Sequence, residues 1–358
     1  MEDRDRGLTV RELMWTLAVL LLLAAGLYQM LSQQSATYQS ELHDERSHRA
    51  LDGALSFMKR ELRRAGSGFG YCKGAARRWD GRGSTPRATT LVALRVHNNC
   101  NLLITPAKRC PDHRGVDSFS VSYADDPAVG TLRGMSLMAA MPTSAPHMPL
   151  LVRSAGFFRR GDQLLLSHPE RDYCTLLRLT ADPRPLGAYY ELPHAAGKQT
   201  NPPAKINIFP PGGYPRGALV TRVGRMTRVR HFTVDDRRPH PALVTWSQTD
   251  TRTPSGQSGL EVVAEGIEDL QIAWACDADG DGRYREDVTE PGRDEWAHTS
   301  PGDTGPRCRG VPPGRVRLTL IARPRVPDPD FAQGRRPAAE DRPAGTAAED
   351  QQRSRGQG

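Results

Sequence analysis

Residues 13–31 carry no charge and no proline, and a single acid, Glu12, stands at their head. An apolar run of about 20 residues crosses a bilayer as a helix, because a rise of about 1.5 Å per residue matches a hydrocarbon core of about 30 Å. An open strand or a loop cannot do so, since backbone polar groups in lipid need partners within the segment. The run therefore sets the first element of the fold. Arg4, Arg6 and Arg11 on its N-terminal side favour a cytoplasmic N-terminus, while Arg46 and Arg49 lie not far beyond the other end. Glu12 is the costly residue. A charge at the centre of a membrane helix costs on the order of 2.5–3.5 kcal/mol, so an acid there is read as functional. A small residue, Gly7, precedes the run where a processing enzyme can cut, whereas a secretory signal peptide carries its small residue after the apolar stretch.

The helical pattern continues beyond the apolar run. Residues 32–65 contain no proline and one glycine, Gly53, and Leu51, Ala54, Leu55, Met58, Leu62 and Ala65 recur three or four apart. Acids and bases such as Glu41, Glu45, Arg49 and Arg63 fill the other face, and Gly66, Gly68 and Gly70 end the pattern. The spacing predicts one long helix with a membrane-spanning first half, residues 8–31, and an amphipathic second half, residues 32–66.

Past Gly70 the texture changes to short runs separated by Gly, Pro, Asn and Asp. Runs 89–96, 116–123, 163–167, 175–179, 219–223, 227–234, 242–246, 266–274 and 315–322 have strand character, with period-two alternation in Phe119, Val121 and Tyr123. Segments 124–149 and 183–215 read as long loops. The fold class expected is α+β, a long N-terminal helix packed on a loop-rich antiparallel β head spanning 67–323. Residues 324–358 turn to Pro, Arg, Gly, Ala and acids, with too little apolar surface to pack, and predict a disordered tail.

The formal net charge is +8 and the pI about 9.4, but acids are interleaved with the Arg residues. No dense basic run alternates with aromatics, so nucleic acid is not an expected partner. Six cysteines, Cys72, Cys100, Cys110, Cys174, Cys276 and Cys308, include no Cys-x-x-Cys pair, which argues against a zinc site. A head outside the cytoplasm would carry them as disulfides. Local pairing would join Cys100 to Cys110 and Cys276 to Cys308, leaving Cys72 for Cys174, although spacing does not choose among the possible pairings. No His-Glu-x-x-His, Gly-x-Ser-x-Gly or phosphate loop occurs, so no enzyme is expected.

In this order the features resemble the type IV pilin superfamily and, within it, the PilW-type minor pilins. The match begins at Gly7, the residue after which a prepilin peptidase would cut, and makes Leu8 the new, N-methylated terminus. Glu12 then falls on the fifth mature residue, an acid that the family is thought to pair with the terminal amine of a neighbouring subunit. Arg11, where an aliphatic residue is usual, places a second cation beside Glu12, and Leu8 stands where Phe is common. Segments 57–66, 117–125, 160–167, 265–272 and 316–323 follow the family's later pattern. The resemblance implies a single-pass inner-membrane protein with a periplasmic head. It would initiate pilus assembly and sit at the pilus tip with other minor pilins, above the major pilin. A J-type pseudopilin of the type II secretion system shares this N-terminal logic. A membrane-tethered, calcium-binding adhesin or sensor that never polymerises is the alternative from another class.

Asp277, Asp279 and Asp281 occupy alternate positions before Gly282, the spacing of the first half of an EF-hand loop. Calcium is the cation this suggests, with Asp287, Glu286 or Glu290 completing the set. The same Asp-Gly pattern also makes solvated turns. Arg160-Gly161-Asp162 reads as an integrin-binding triplet, but such triplets arise by chance at the start of strands.

Overall fold

The computed structural model of the chain describes residues 10–69, 72, 75–80, 87–103, 116–124, 135–143, 145–150, 157–171, 174–195, 201, 208–224, 227–249, 259–277, 279–286, 295–297 and 314–322. One helix, α1 (Val10–Arg63), runs unbroken for 54 residues, about 80 Å at 1.5 Å per residue. Nothing in it stops a helix. The hydroxyls of Thr16, Ser32 and Ser35 donate to the carbonyls of Leu13, Gln29 and Ser32 at 2.8 Å, which satisfies polar groups on an apolar surface. Arg49 pairs with Glu45 one turn earlier. The helix gives way to a turn in which Gly66 takes φ of 71°, a left-handed conformation that any Cβ makes costly. Gly66 also donates its N–H to the Ser122 carbonyl at 2.9 Å, tying the end of α1 to the sheets by backbone.

Seventeen strands follow among the described residues. β1 (Ala75–Asp80), β2 (Arg87–Val92), β3 (Leu94–His97), β4 (Ser118–Ala124), β5 (Met135–Ser136) and β6 (His147–Leu150) come first. β7 (Gln163–Ser167), β8 (Cys174–Arg178), β9 (Arg184–Leu186), β10 (Tyr189–Pro193) and β11 (Leu219–Gly224) occupy the middle. The last are β12 (Thr227–Asp235), β13 (Ala242–Thr249), β14 (Glu261–Glu265), β15 (Ile267–Ala275), β16 (Trp296–Ala297) and β17 (Arg315–Ala322). They form a six-stranded sheet in the order β2-β1-β8-β7-β11-β5 and a five-stranded sheet in the order β14-β13-β12-β4-β3. Two three-stranded sheets have the orders β6-β10-β9 and β16-β15-β17. Among these pairings only β1 with β8 is parallel. The chain is α+β, one apolar N-terminal helix followed by mostly antiparallel sheets.

Among the described residues, the buried side chains of α1 lie in its C-terminal part. Ala54 and Met58 are 1% and 0% exposed and pack with Phe119, Val121 and Tyr123 of β4, Phe232 of β12 and Leu270 of β15. The β4 residues share a face because side chains repeat every two positions along a strand. Each large apolar side chain so buried contributes about 1.5–3 kcal/mol. A second core, with Leu164, Leu166, Leu177, Leu192 and Val220 among its members, fills the part of the head built from β5 to β11.

An acid is buried where α1 meets the five-stranded sheet. Glu61 is 1% exposed, accepts the Tyr123 hydroxyl at 3.1 Å, and faces Arg64 at 3.4 Å and Arg230 at 3.8 Å. Burial first, and then the Glu61 carboxylate, push the Tyr123 phenol up, so it remains a donor. Arg230 also lies 4.9 Å above the Phe57 ring. A buried carboxylate surrounded by donors is tolerated, and here it favours one rotation of α1 on the sheet.

Strands occupy all nine of the runs expected from alternation, the first of them split at Ala93 into β2 and β3. The two segments expected as long loops are not loops throughout, because β5 and β6 lie in the first and β9 and β10 in the second. Proline hides β6 and β9 from a reading of the sequence. Pro149 of β6 and Pro185 of β9 sit in the outer strands of their sheet, where a missing N–H costs little. Cys72 and Cys174 are disulfide-bonded with Cα atoms 5.6 Å apart, which staples the turn after α1 to β8. Cys100 and Cys276 are disulfide-bonded too; Cys110 and Cys308, the partners expected for them, lie outside the described residues, as does the segment 324–358.

Candidate functional site

The acidic loop grows out of a rigid strand. β15 is paired along its length with β17 and at its end with β16, so the chain leaves the sheet at Cys276 from a fixed position. The Cys276 N–H donates to the Glu295 carbonyl at 3.1 Å, and the Glu295 N–H donates to the Arg285 carbonyl at 2.9 Å. These bonds close the loop over Glu295. Within it Asp277 accepts the N–H groups of Gly280 and Gly282 at 2.7 and 2.9 Å. Asp279 accepts that of Asp281 at 3.0 Å, and Asp281 that of Arg283 at 2.7 Å. Acids at alternate positions thus bend the chain around their own side chains, with Gly280 and Gly282 at φ of 80° and 77°.

Asp277, Asp279 and Glu295 each place a carboxylate oxygen within 4.8 Å of the other two. A hard cation with oxygen ligands at about 2.3–2.6 Å spans such separations. Glu295 is 4% exposed, Asp277 half-buried and Asp279 exposed, which gives the cluster a buried floor and an open side. A carboxylate has about four acceptor positions, so the amides that Asp277 and Asp279 already bind leave capacity for an ion. These three residues can hold a metal.

Of the four acids expected in the set, only two belong to this cluster. Asp281 turns to Arg285 at 2.6 Å, and Asp287 lies outside the described residues. Arg285 also stands 3.9 Å from Asp279, a cation already drawn to the site. Glu295 is not part of any motif. It arrives through the pairing of Ala275 with Trp296, and the only sequence signal for it is the short apolar run that follows.

The N-terminal candidates lie at the start of α1. Leu13–Ser35 is fully exposed and, at 23 residues, long and apolar enough to cross a membrane, a test that a signal sequence also passes. Glu12 has its backbone in α1 immediately before this segment, and Gly7 and Leu8 lie outside the described residues. The Arg160-Gly161-Asp162 triplet is not displayed for binding. Asp162 is 0% exposed, accepts the Arg159 N–H at 2.9 Å and pairs with Arg222 at 2.8 Å. No family model, curated protein or solved structure matches the chain.

Proposed function

We propose that the chain is a non-enzymatic minor pilin of a type IV pilus, held in the inner membrane by residues 8–31 with its head in the periplasm. The observation that carries this reading is α1 itself: an exposed apolar segment, Leu13–Ser35, continues without a linker into turns docked on the β head. An apolar surface of that length needs lipid or other helices to cover it. In a pilus it serves twice, in the bilayer before assembly and in a bundle of like helices afterwards. The amphipathic second half, residues 32–66, carries the head clear of the membrane.

In this reading prepilin peptidase removes residues 1–7, and the methylated amine of Leu8 on one subunit receives Glu12 of the next. A carboxylate in lipid is stabilised only by a nearby cation, and this amine lies in the same membrane layer. The head binds other minor pilins, primes assembly and remains at the tip. Glu12→Ala is expected to leave the protein in the membrane with a folded head, yet remove it from sheared pili and lower pilus number. If the variant enters pili as well as the parent does, the polymerising reading is lost.

The cation assigned to Asp277, Asp279 and Glu295 is calcium, which suits an all-oxygen set on a head outside the cytoplasm. For a Kd of about 10–100 μM, calcium at about 1 mM would stabilise the head by about 1.4–2.7 kcal/mol. The check is thermal unfolding in calcium against chelator. Tm should rise by several degrees, Glu295→Gln should erase the rise, and Arg285→Ala should enlarge it by removing a competing cation. Equal Tm in the two buffers would sink the assignment.

A further inference from the structure

His194 directly follows β10 and is 4% exposed. The ring of Phe209 lies 6.4 Å from its imidazole. Nδ1 stands 3.4 Å from the Leu192 carbonyl, which selects the tautomer with the hydrogen on that nitrogen. Nε2 is buried and has no hydrogen-bond partner among the described residues. A second proton therefore goes to Nε2, where it creates a buried, charged N–H without an acceptor. Burial holds the imidazole down to a pKa of about 4 against the pull of the Leu192 and Ala145 backbone, and the charge of His147 adds to the effect. The titratable and charged side chains on the surrounding strands, among the described residues, are His147 on β6, Tyr189, Tyr190 and Glu191 on β10, Arg184 on β9 and Arg178 on β8. Of these, only His147 acts on the ring through its charge, and it does so with the unfavourable sign.

The residue stands on a seam between two sheets. β10 belongs to the three-stranded sheet and β8 to the six-stranded one. One side chain, Asn201, joins their ends. Its Nδ2 donates to the carbonyls of His194 at 3.0 Å and Arg178 at 2.8 Å, and its Oδ1 accepts the Arg178 N–H at 2.9 Å. The Thr180 N–H donates to the Pro193 carbonyl at 2.9 Å, and the His194 N–H to the Pro146 carbonyl at 2.9 Å. These bonds fix the backbone of residue 194, so the ring cannot reach water while they stand.

We infer that this seam is an acid-sensitive latch: protonation drives the His194 ring into water, and the bonds that tie the end of β10 to β8 break with it. The closed seam holds a neutral imidazole, whereas the open one holds a solvated imidazole near the ordinary 6.5. The open form therefore binds the extra proton. The latch is fully closed above about pH 6.5 and loses stability as pH falls from there towards about 4. Opening uncovers Leu192 and Phe209, which the second core otherwise buries.

Hydrogen exchange read by mass spectrometry, on the full chain in phosphatidylcholine nanodiscs with chelator present, provides the test. It needs neither polymer nor metal, so it succeeds or fails separately from the Glu12 and calcium experiments. Rates at about pH 7.5 and about pH 5 are corrected for the intrinsic pH dependence of exchange and converted to protection factors. Peptides containing residues 176–180 and 192–195 report the seam, and one containing 267–275 reports β15 as a control. Between the two pH values protection at the seam should fall about ten- to thirtyfold, with β15 unchanged. In His194→Gln, which keeps a polar side chain but does not titrate, the fall should be less than about twofold. His147→Gln should keep most of the fall, because burial outweighs the charge of His147. If the substitutions at residue 194 leave the seam open at both pH values, the parent still decides through its contrast between seam and β15. Undiminished protection of the parent's seam at about pH 5, equal losses at the seam and in β15, a full response in a closed His194→Gln seam, or a response abolished by His147→Gln would each overturn the inference.

Discussion

Replacing Cys72 and Cys174 together by serine is expected to destabilise the head by about 4–5 kcal/mol and to lower its Tm by about 8–20 °C. The two residues lie 102 positions apart. A cross-link restrains the unfolded chain more as the closed loop lengthens, and the chain-entropy model gives about 4.7 kcal/mol for a loop of about 100 residues. The bond joins the turn after α1, which Cys72 follows, to β8, which Cys174 opens beside β1 in the single parallel pairing described. Parallel pairs are slightly less stable per residue than antiparallel ones, and the staple reinforces this seam. Urea unfolding followed by tryptophan fluorescence measures the loss. A reductant should destabilise the parent by at least as much, and its further effect on the double variant reports the disulfides of Cys100 and Cys276. A change below about 1 kcal/mol would show that the seam is held by its packing instead.

Which parts of this molecule are readable from its residues follows from the range of the forces involved. The helix is local. Freedom from proline, the three-and-four spacing from Leu51 to Ala65, and Gly66 at the end are all within a few turns of one another, and α1 covers residues 10–63 of the expected 8–66. The strands that alternate, such as β4 with Phe119, Val121 and Tyr123, are legible for the same reason. β6 and β9 are not, because Pro149 and Pro185 suppress the local signal and only their position at a sheet edge makes proline acceptable. The acidic loop is partly legible. Asp277 and Asp279 announce themselves by spacing, whereas Glu295 joins them only because β16 folds back on β15. Asp281 has the right spacing but is diverted by Arg285, a pairing that depends on the path of the loop.

Asp117→Ala should cost about 3–5 kcal/mol, because it strips two buried amides of their acceptor. Asp117 is 0% exposed. One carboxylate oxygen accepts the Asn99 N–H at 2.7 Å and the other accepts the Ile272 N–H at 2.8 Å. Its own N–H donates to the Leu270 carbonyl at 2.9 Å. The residue thus joins the start of β4, in the five-stranded sheet, to the middle of β15 in the neighbouring sheet. A hydrogen bond to a charged group contributes about 1.5–3 kcal/mol, and a buried donor left unpaired costs about 1–3 kcal/mol. Asparagine keeps one acceptor but turns an amino group towards the second N–H, so Asp117→Asn should lose about half as much. Hydrogen exchange at the amides of Asn99 and Ile272 should accelerate in both variants, more so in the alanine form. The effect should also reach the candidate metal centre. β15 runs from Ile272 to Ala275 and then into Cys276 and Asp277, so loosening the seam loosens the strand that sets Asp277 against Glu295. The stabilisation proposed for calcium should therefore shrink in Asp117→Ala even though every acid of the cluster is intact. An undiminished calcium response would mean that the loop is held by its own hydrogen bonds and the Cys276 disulfide, independently of the sheet beneath it.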